Sequence, residues 1–262
     1  FADFICEGIG TYEFQLYRAA TKLVTYVELV ENEHKLDGEF FGKVQEIVKS
    51  LEKFSDIPGL KEFSDSESII FKLLRKISKL RNQNRWVTHV STVGCSVLAH
   101  LFDTAIFSYF MSLEQEPDNE RLATKRFFIG IFHDVPETWT KDIPSPVKNR
   151  IPGFRKASED YELKKIEENM YQVLPSYMAE ALKNVMMEDE KNQEHKKLLK
   201  GADYLAADSE CWRQYRAGSR DEYFRTAIME RKANIDSGKE LITPVCGQLY
   251  DYFFKYVERL DF

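Results

Sequence analysis

The pair His133-Asp134 is the sharpest chemical signal in the sequence, at the end of the apolar run Phe127-Phe128-Ile129-Gly130-Ile131-Phe132. Neighbouring residues on a helix lie about 100° apart, so both side chains can lean toward one point where the helix stops. Imidazole nitrogen beside carboxylate oxygen suits a divalent first-row metal. The plainer alternative is a helix-terminal histidine followed by a capping aspartate. Two distant residues strengthen the metal reading. His100 is the only histidine inside the apolar central segment, and a buried imidazole needs a partner. Asp203 stands among Leu199, Ala202, Leu205 and Ala206, where a carboxylate is costly unless paired or ligated. Glu137 and Asp142 follow the pair on a loop stiffened by Pro144 and Pro146. A carboxyl group near a bound metal can activate water or protonate a leaving group. Arg85-Trp86 precede His100, and these two residues with Lys141 and Lys148 are candidate substrate-binding side chains.

The elements that must position these residues read as helices. Leu16, Ala20, Leu23, Val27 and Val30 recur at spacings of three and four, which predicts a helix over about 9–31. Phe40 to Leu51 and Ile69 to Leu80 give two more, separated by the turn Asp56-Ile57-Pro58-Gly59. Val97 to Phe110 is apolar nearly all round, which predicts a central, buried helix carrying His100. A helix from about Asn119 to His133 is stopped by Pro136. Later helices are expected up to Pro175, over Met178–Met187, over Leu198–Ala217 with Gly218 as C-cap, and around Tyr223–Ala233 and Gln248–Leu260. No alternating run sits between turn signals, so the class is all-α.

Composition narrows the function. With 37 basic and 43 acidic residues the net charge is −6, and the chain lacks the overall field of a nucleic-acid or anionic-membrane binder. Any phosphate must be met by local cations or a metal. The four cysteines form no CxxC pair, which argues against a zinc ribbon or disulfide framework and fits a reducing cytoplasm. The apolar stretch Val90–Leu113 contains His100 and Asp103, so it reads as a core helix rather than a membrane span.

The order of His100, His133-Asp134 and Asp203 resembles the H…HD…D pattern of the HD-domain metal-dependent phosphohydrolases. Arg85-Trp86, His133-Asp134-x-x-Glu137 and Asp142-Ile143-Pro144-x-Pro146-Val147-Lys148 look more narrowly like the bacterial 5′-deoxynucleotidase branch. The resemblance covers about residues 80–220. It implies an HD-domain helical bundle over 66–262; residues 1–65 lie outside it and read as an additional N-terminal helical segment, alternatively the end of a truncated upstream region. It further implies one divalent ion (Mn, Co, Zn, Fe or Mg) held by His100, His133, Asp134 and Asp203. Glu137 and Asp142 match the family's catalytic acids, and Arg85 its phosphate-contacting arginine. The implied substrate is a small phosphate ester, a nucleoside 5′-monophosphate, with no nucleic-acid or membrane partner and with a homodimer left open. Alternatives are an HD phosphodiesterase or pyrophosphohydrolase of a signalling nucleotide, and a non-catalytic helical scaffold. The chain departs from the pattern at Ala99, where glutamate is frequent, and at Lys141, where glycine is usual.

Overall fold

The computed structural model describes residues 10–32, 38–141, 150–186, 192–239 and 242–258. Asp142 and Lys148 lie outside these residues, as do Cys6 and His34. Among the described residues there is no strand, and one isolated antiparallel bridge joins Asn84 to Ser96. The all-α expectation holds. No helix among them is long and apolar enough to cross a membrane.

The chain divides into two compact units, 1–78 and 79–262. In the first, Thr11 caps α1 (Tyr12–Glu31) by accepting a hydrogen bond from the Phe14 amide. Leu23, Tyr26 and Val27 on its inner face pack with Leu51, Phe54 and Phe71, contributed by α2 (Gly38–Glu52), the turn after it, and α4 (Ile69–Ser78). The short α3 (Leu60–Ser64) was not expected, because five residues are too few for periodicity to show. The sequence groups the helix from Ile69 with the later chain. In the structure it belongs to the first unit, because Phe71 and Leu74 join that unit's core.

In the second unit, α5 (Val97–Gln115) packs chiefly against α6 (Glu120–Phe132), and α10 (Gln193–Arg216) packs on both. Ser96, Asn119 and Asn192 cap the three helices through side-chain oxygens that accept backbone N–H groups otherwise left without partners. Asn192 starts α10 a turn before the expected Leu198, and Gly218, at φ 86°, ends it as anticipated. α7 (Glu137–Thr140) is a single turn. α8 (Phe154–Ile166) runs on into a π turn (Glu167–Tyr171), and α9 (Ser176–Met186), α11 (Glu222–Asp236) and α12 (Pro244–Glu258) complete the unit. Leu101, Met111 and Leu198 are essentially inaccessible, each contributing about 1.5–3 kcal/mol through burial.

α5 differs from expectation in one respect. Its apolar sequence is not buried all round: Phe102 and Phe110 are exposed, while His100, Thr104, Ser108 and Ser112 face inward. Val90–Ser96, read as part of the same apolar stretch, is loop. The inward face is small because α6 lies close against it. A Cβ placed on Gly130 would meet Ala105 Cα at 2.7 Å, Ala105 N at 3.0 Å and Ser108 Oγ at 3.1 Å. Two of these atoms are backbone and cannot swing aside. Gly130→Ala is therefore expected to destabilise the protein by about 1–3 kcal/mol through overpacking. Urea unfolding would show it as a lower midpoint at unchanged slope, whereas an unchanged midpoint would mean that the helices can separate freely.

Candidate metal centre

Two helices and a turn of the second unit carry the candidate ligands, and three of the four converge within 4.8 Å. α5 supplies His100, fully buried. α6 ends at Phe132, and the turn that follows carries His133 and Asp134. α10 supplies Asp203. One ligand atom each from His100, His133 and Asp134 lies within 4.8 Å of the others, and the two imidazole centroids are 6.0 Å apart. Asp203 Oδ1 sits 3.0 Å from His100 Nε2, and Asp134 Oδ2 sits 3.2 Å from His133 Nε2.

The close α5–α6 approach at Gly130 also fixes the chemistry of His133. Its Nδ1 is 2.7 Å from the Gly130 carbonyl oxygen, which can only accept. The Nδ1 proton is donated there, so in the neutral ring Nε2 is the lone-pair nitrogen. Burial works to lower the His133 pKa, but the Asp134 and Asp203 carboxylates override it and raise the value to about 9. Burial likewise works to raise Asp134, which the His133 charge instead draws down to about 2. Asp203 is held well below the usual range against its own burial by His100 and by Lys200, whose Nζ is 3.3 Å away. Imidazoles and carboxylates at this point thus favour positive charge between them. Two imidazole nitrogens with two carboxylates are a donor set that fits a divalent first-row cation.

The residues expected around this centre are distributed unevenly. Glu137 is buried, on α7 rather than on an irregular loop, and its amide donates to the Asp134 carbonyl at 3.0 Å. Lys141 follows α7 with an exposed side chain and φ 67°, ψ 160°, a region that is essentially glycine's. A glycine, which the resemblance leads one to expect there, would adopt this geometry without strain. Trp86 is the other described non-glycine residue at positive φ, 60°. Arg85 and Trp86 lie on a loop closed by the Arg85 amide donating to the Cys95 carbonyl (2.8 Å) and by Val97 donating to Gln83 (2.9 Å). Their side chains turn to an acid that the sequence reading did not single out. Glu210 Oε2 accepts from Arg85 Nε at 3.0 Å and from Trp86 Nε1 at 2.9 Å, while Oε1 lies 3.1 Å from His100 Nδ1. The signal was available: Glu210 follows Asp203 by seven residues, two helical turns on the same face. Gln214, one turn further, also went unnoticed. It is buried and accepts from the Thr92 and Val93 amides, tying the same loop to α10.

Comparison with known proteins places this arrangement in a family. The model of the 5′-deoxynucleotidase YfbR-like family matches residues 72–246. A 5′-deoxynucleotidase of Yersinia pestis (strain Pestoides F) is 26% identical over 171 residues, covering 63% of this chain and 84% of its own. The 5′-deoxynucleotidase of Yersinia pseudotuberculosis serotype O:3 (strain YPIII) matches with the same figures. An HD-domain phosphohydrolase from Listeria innocua superposes with a TM-score of 0.57 at 20% identity, over 71% of this chain and 86% of its own. A Pyrococcus horikoshii OT3 protein does so with a TM-score of 0.51 at 17% identity, over 72% and 99%. These two likenesses bear on the helical fold alone. The family match spans more than half of the chain and contains His100, His133, Asp134 and Asp203, and the chain belongs to the YfbR-like 5′-deoxynucleotidase family.

Proposed function

We propose that the protein hydrolyses nucleoside 5′-monophosphates, 5′-deoxynucleotides among them, to nucleoside and inorganic phosphate. One divalent ion is held by His100, His133, Asp134 and Asp203. The observation that carries this reading is the convergence of His100, His133 and Asp134 ligand atoms within 4.8 Å, with Asp203 against His100. Family membership makes the chain a metal-dependent phosphohydrolase, and the names of the Yersinia relatives suggest the substrate class. The second compact unit is the phosphohydrolase domain, and residues 1–78 are an appended helical unit. Cys95, Cys211 and Cys246 are buried free thiols, in keeping with a cytoplasmic location.

A bound divalent ion supplies Lewis-acid polarisation of the phosphoryl group and lowers the pKa of water. The chain's own residues do the rest. His100 and His133 present Nε2 because Glu210 and the Gly130 carbonyl occupy their Nδ1 positions. Glu137, buried and three residues after Asp134, holds the proton delivered to the leaving 5′ oxygen or takes one from the attacking water, with Asp142 as its counterpart. Arg85, Trp86, Lys141 and Lys148 bind the substrate.

The direct experiment is phosphate release from 5′-monophosphates, cyclic nucleotides and polyphosphates with Mn²⁺, Co²⁺, Zn²⁺ or Mg²⁺. Release from monophosphates is expected, and Glu137→Gln should lower it by about 10²–10⁴-fold while metal remains bound. Preferential cleavage of cyclic or polyphosphorylated substrates would overturn the substrate assignment. Metal bound without phosphate release from any nucleotide would favour a scaffold.

Metal titration carries a second prediction. An incoming ion displaces the proton that His133 otherwise holds up to about pH 9. Affinity should therefore rise with pH, level off above that value, and be accompanied by proton release measurable by calorimetry in buffers of different ionisation enthalpy. His133→Ala and Asp203→Ala should each abolish stoichiometric binding; full occupancy in either would remove that residue from the ligand set.

Lys141→Gly separates backbone from side chain. Relief of a backbone conformation that disfavours lysine should stabilise the protein by about 1–3 kcal/mol in urea unfolding. Loss of the ammonium should raise KM for the nucleotide. Unchanged KM would remove Lys141 from the substrate-binding set while leaving the strain argument intact.

A further inference from the structure

Glu210 is 1% exposed, yet it uses both carboxylate oxygens, and the two serve different sites. Oε1 faces His100 Nδ1, behind the ring nitrogen that points at Asp203. Oε2 receives two N–H groups, from the adjacent residues Arg85 and Trp86. We propose that Glu210 is a positioning residue that sets His100 for the metal and Arg85-Trp86 for the phosphate ester at the same time. This rests on the functional reading above, in which His100 is a metal ligand and Arg85 and Trp86 bind the substrate.

Three features support a positioning role beyond simple charge neutralisation. A carboxylate can only accept, so Glu210 keeps a proton on His100 Nδ1, and the nitrogen left to offer a lone pair to a metal, in place of a proton shared with Asp203, is Nε2. The opposite tautomer would turn an N–H toward the metal. Trp86 stands at φ 60°, which a bulky side chain holds only where its surroundings over-determine it. The indole N–H to Glu210, the edge contact with Phe224 at 5.9 Å and the Tyr223 ring at 5.8 Å supply that determination. Arg85, whose guanidinium lies 5.4 Å from the Trp86 ring, has its Nε direction fixed by the same oxygen. Gln214 holds the far end of the loop from the same helix. The segment 85–93 is thus registered against α10, the helix that also carries Asp203, and one buried carboxylate joins ligand and substrate geometry.

Glu210→Gln tests this without changing size. An amide cannot accept at both ends. Its NH₂ must face either the Arg85 and Trp86 donors or His100 Nδ1, where it would impose the wrong tautomer. In direct titration of the folded variant, the Kd for Mn²⁺ or Co²⁺ should rise about 10–100-fold, the range for loss of a group that orients a metal ligand. At saturating metal, KM for a 5′-monophosphate should also rise. Glu210→Asp keeps the charge but shortens the reach, and should recover no more than one of the two; it carries the test alone if the glutamine variant does not fold. Recovery of both by aspartate would reduce Glu210 to a charge-balancing role and overturn the proposal. So would unchanged Kd and KM in Glu210→Gln while the unaltered protein binds metal normally, and that outcome leaves the functional reading standing. If the unaltered protein binds no metal, the functional reading falls first and this inference falls with it.

Discussion

A fully buried imidazole with a carboxylate on each side is the arrangement around which the second unit is organised. His100 has no solvent exposure, so both ring nitrogens need partners within the protein. Asp203 and Glu210 provide them from one helix, two turns apart. Meeting that requirement fixes the rotation of α10 against α5, because a shift of one residue on either helix would carry the groups about 100° out of register. The α5–α6 contact imposes the second restriction. Gly130 lets the end of α6 approach Ala105, and only at that closeness do His133 and Asp134 arrive beside His100. The same glycine provides the carbonyl that orients His133. Packing and the geometry of the candidate ligands are therefore one constraint at this end of the bundle.

Much of this was legible in the sequence, for reasons that particular residues make clear. Helical periodicity is a local property, and His133-Asp134 at the end of an apolar run is a local signal, so both could be read directly. Asp203 drew attention because an acid on an apolar face requires an explanation. Glu210 is an acid with the same claim, but its partners lie 110 and 125 residues away, and nothing local says which acid on a long helix finds one. The exposure of Phe102 and Phe110 was hidden for a related reason. Residue type records what a helix could bury, whereas the small inward residues Ala105 and Ser108 record what α6 needs in order to approach. α7, a single turn, is too short to leave a period.

Two described non-glycine residues adopt positive φ, and both are among the candidate substrate-binding residues. Trp86 is held by packing and by Glu210, which repay its strain with specific contacts. Lys141 has an exposed side chain at a backbone geometry where its Cβ is unfavourable. Local preference and structure disagree at these places, which is the pattern expected where a site rather than the fold sets the conformation. The departure from the family's usual glycine thus has an energetic meaning before any contact with a ligand is considered.

Charge closes the argument. The protein is acidic overall, and two basic groups beside the candidate ligands are already engaged, Lys200 with Asp203 and Arg85 with Glu210. Asp134 and Asp203 stay ionised against their own burial, each leaning on the histidines. Such a cluster repels a phosphate dianion unless it holds a cation. A divalent ion held by the candidate ligands would let both imidazoles serve as neutral donors and would add the positive charge that an anionic substrate needs. Metal dependence in this chain then follows from the balance of charge in its core as well as from the Lewis acidity that hydrolysis uses.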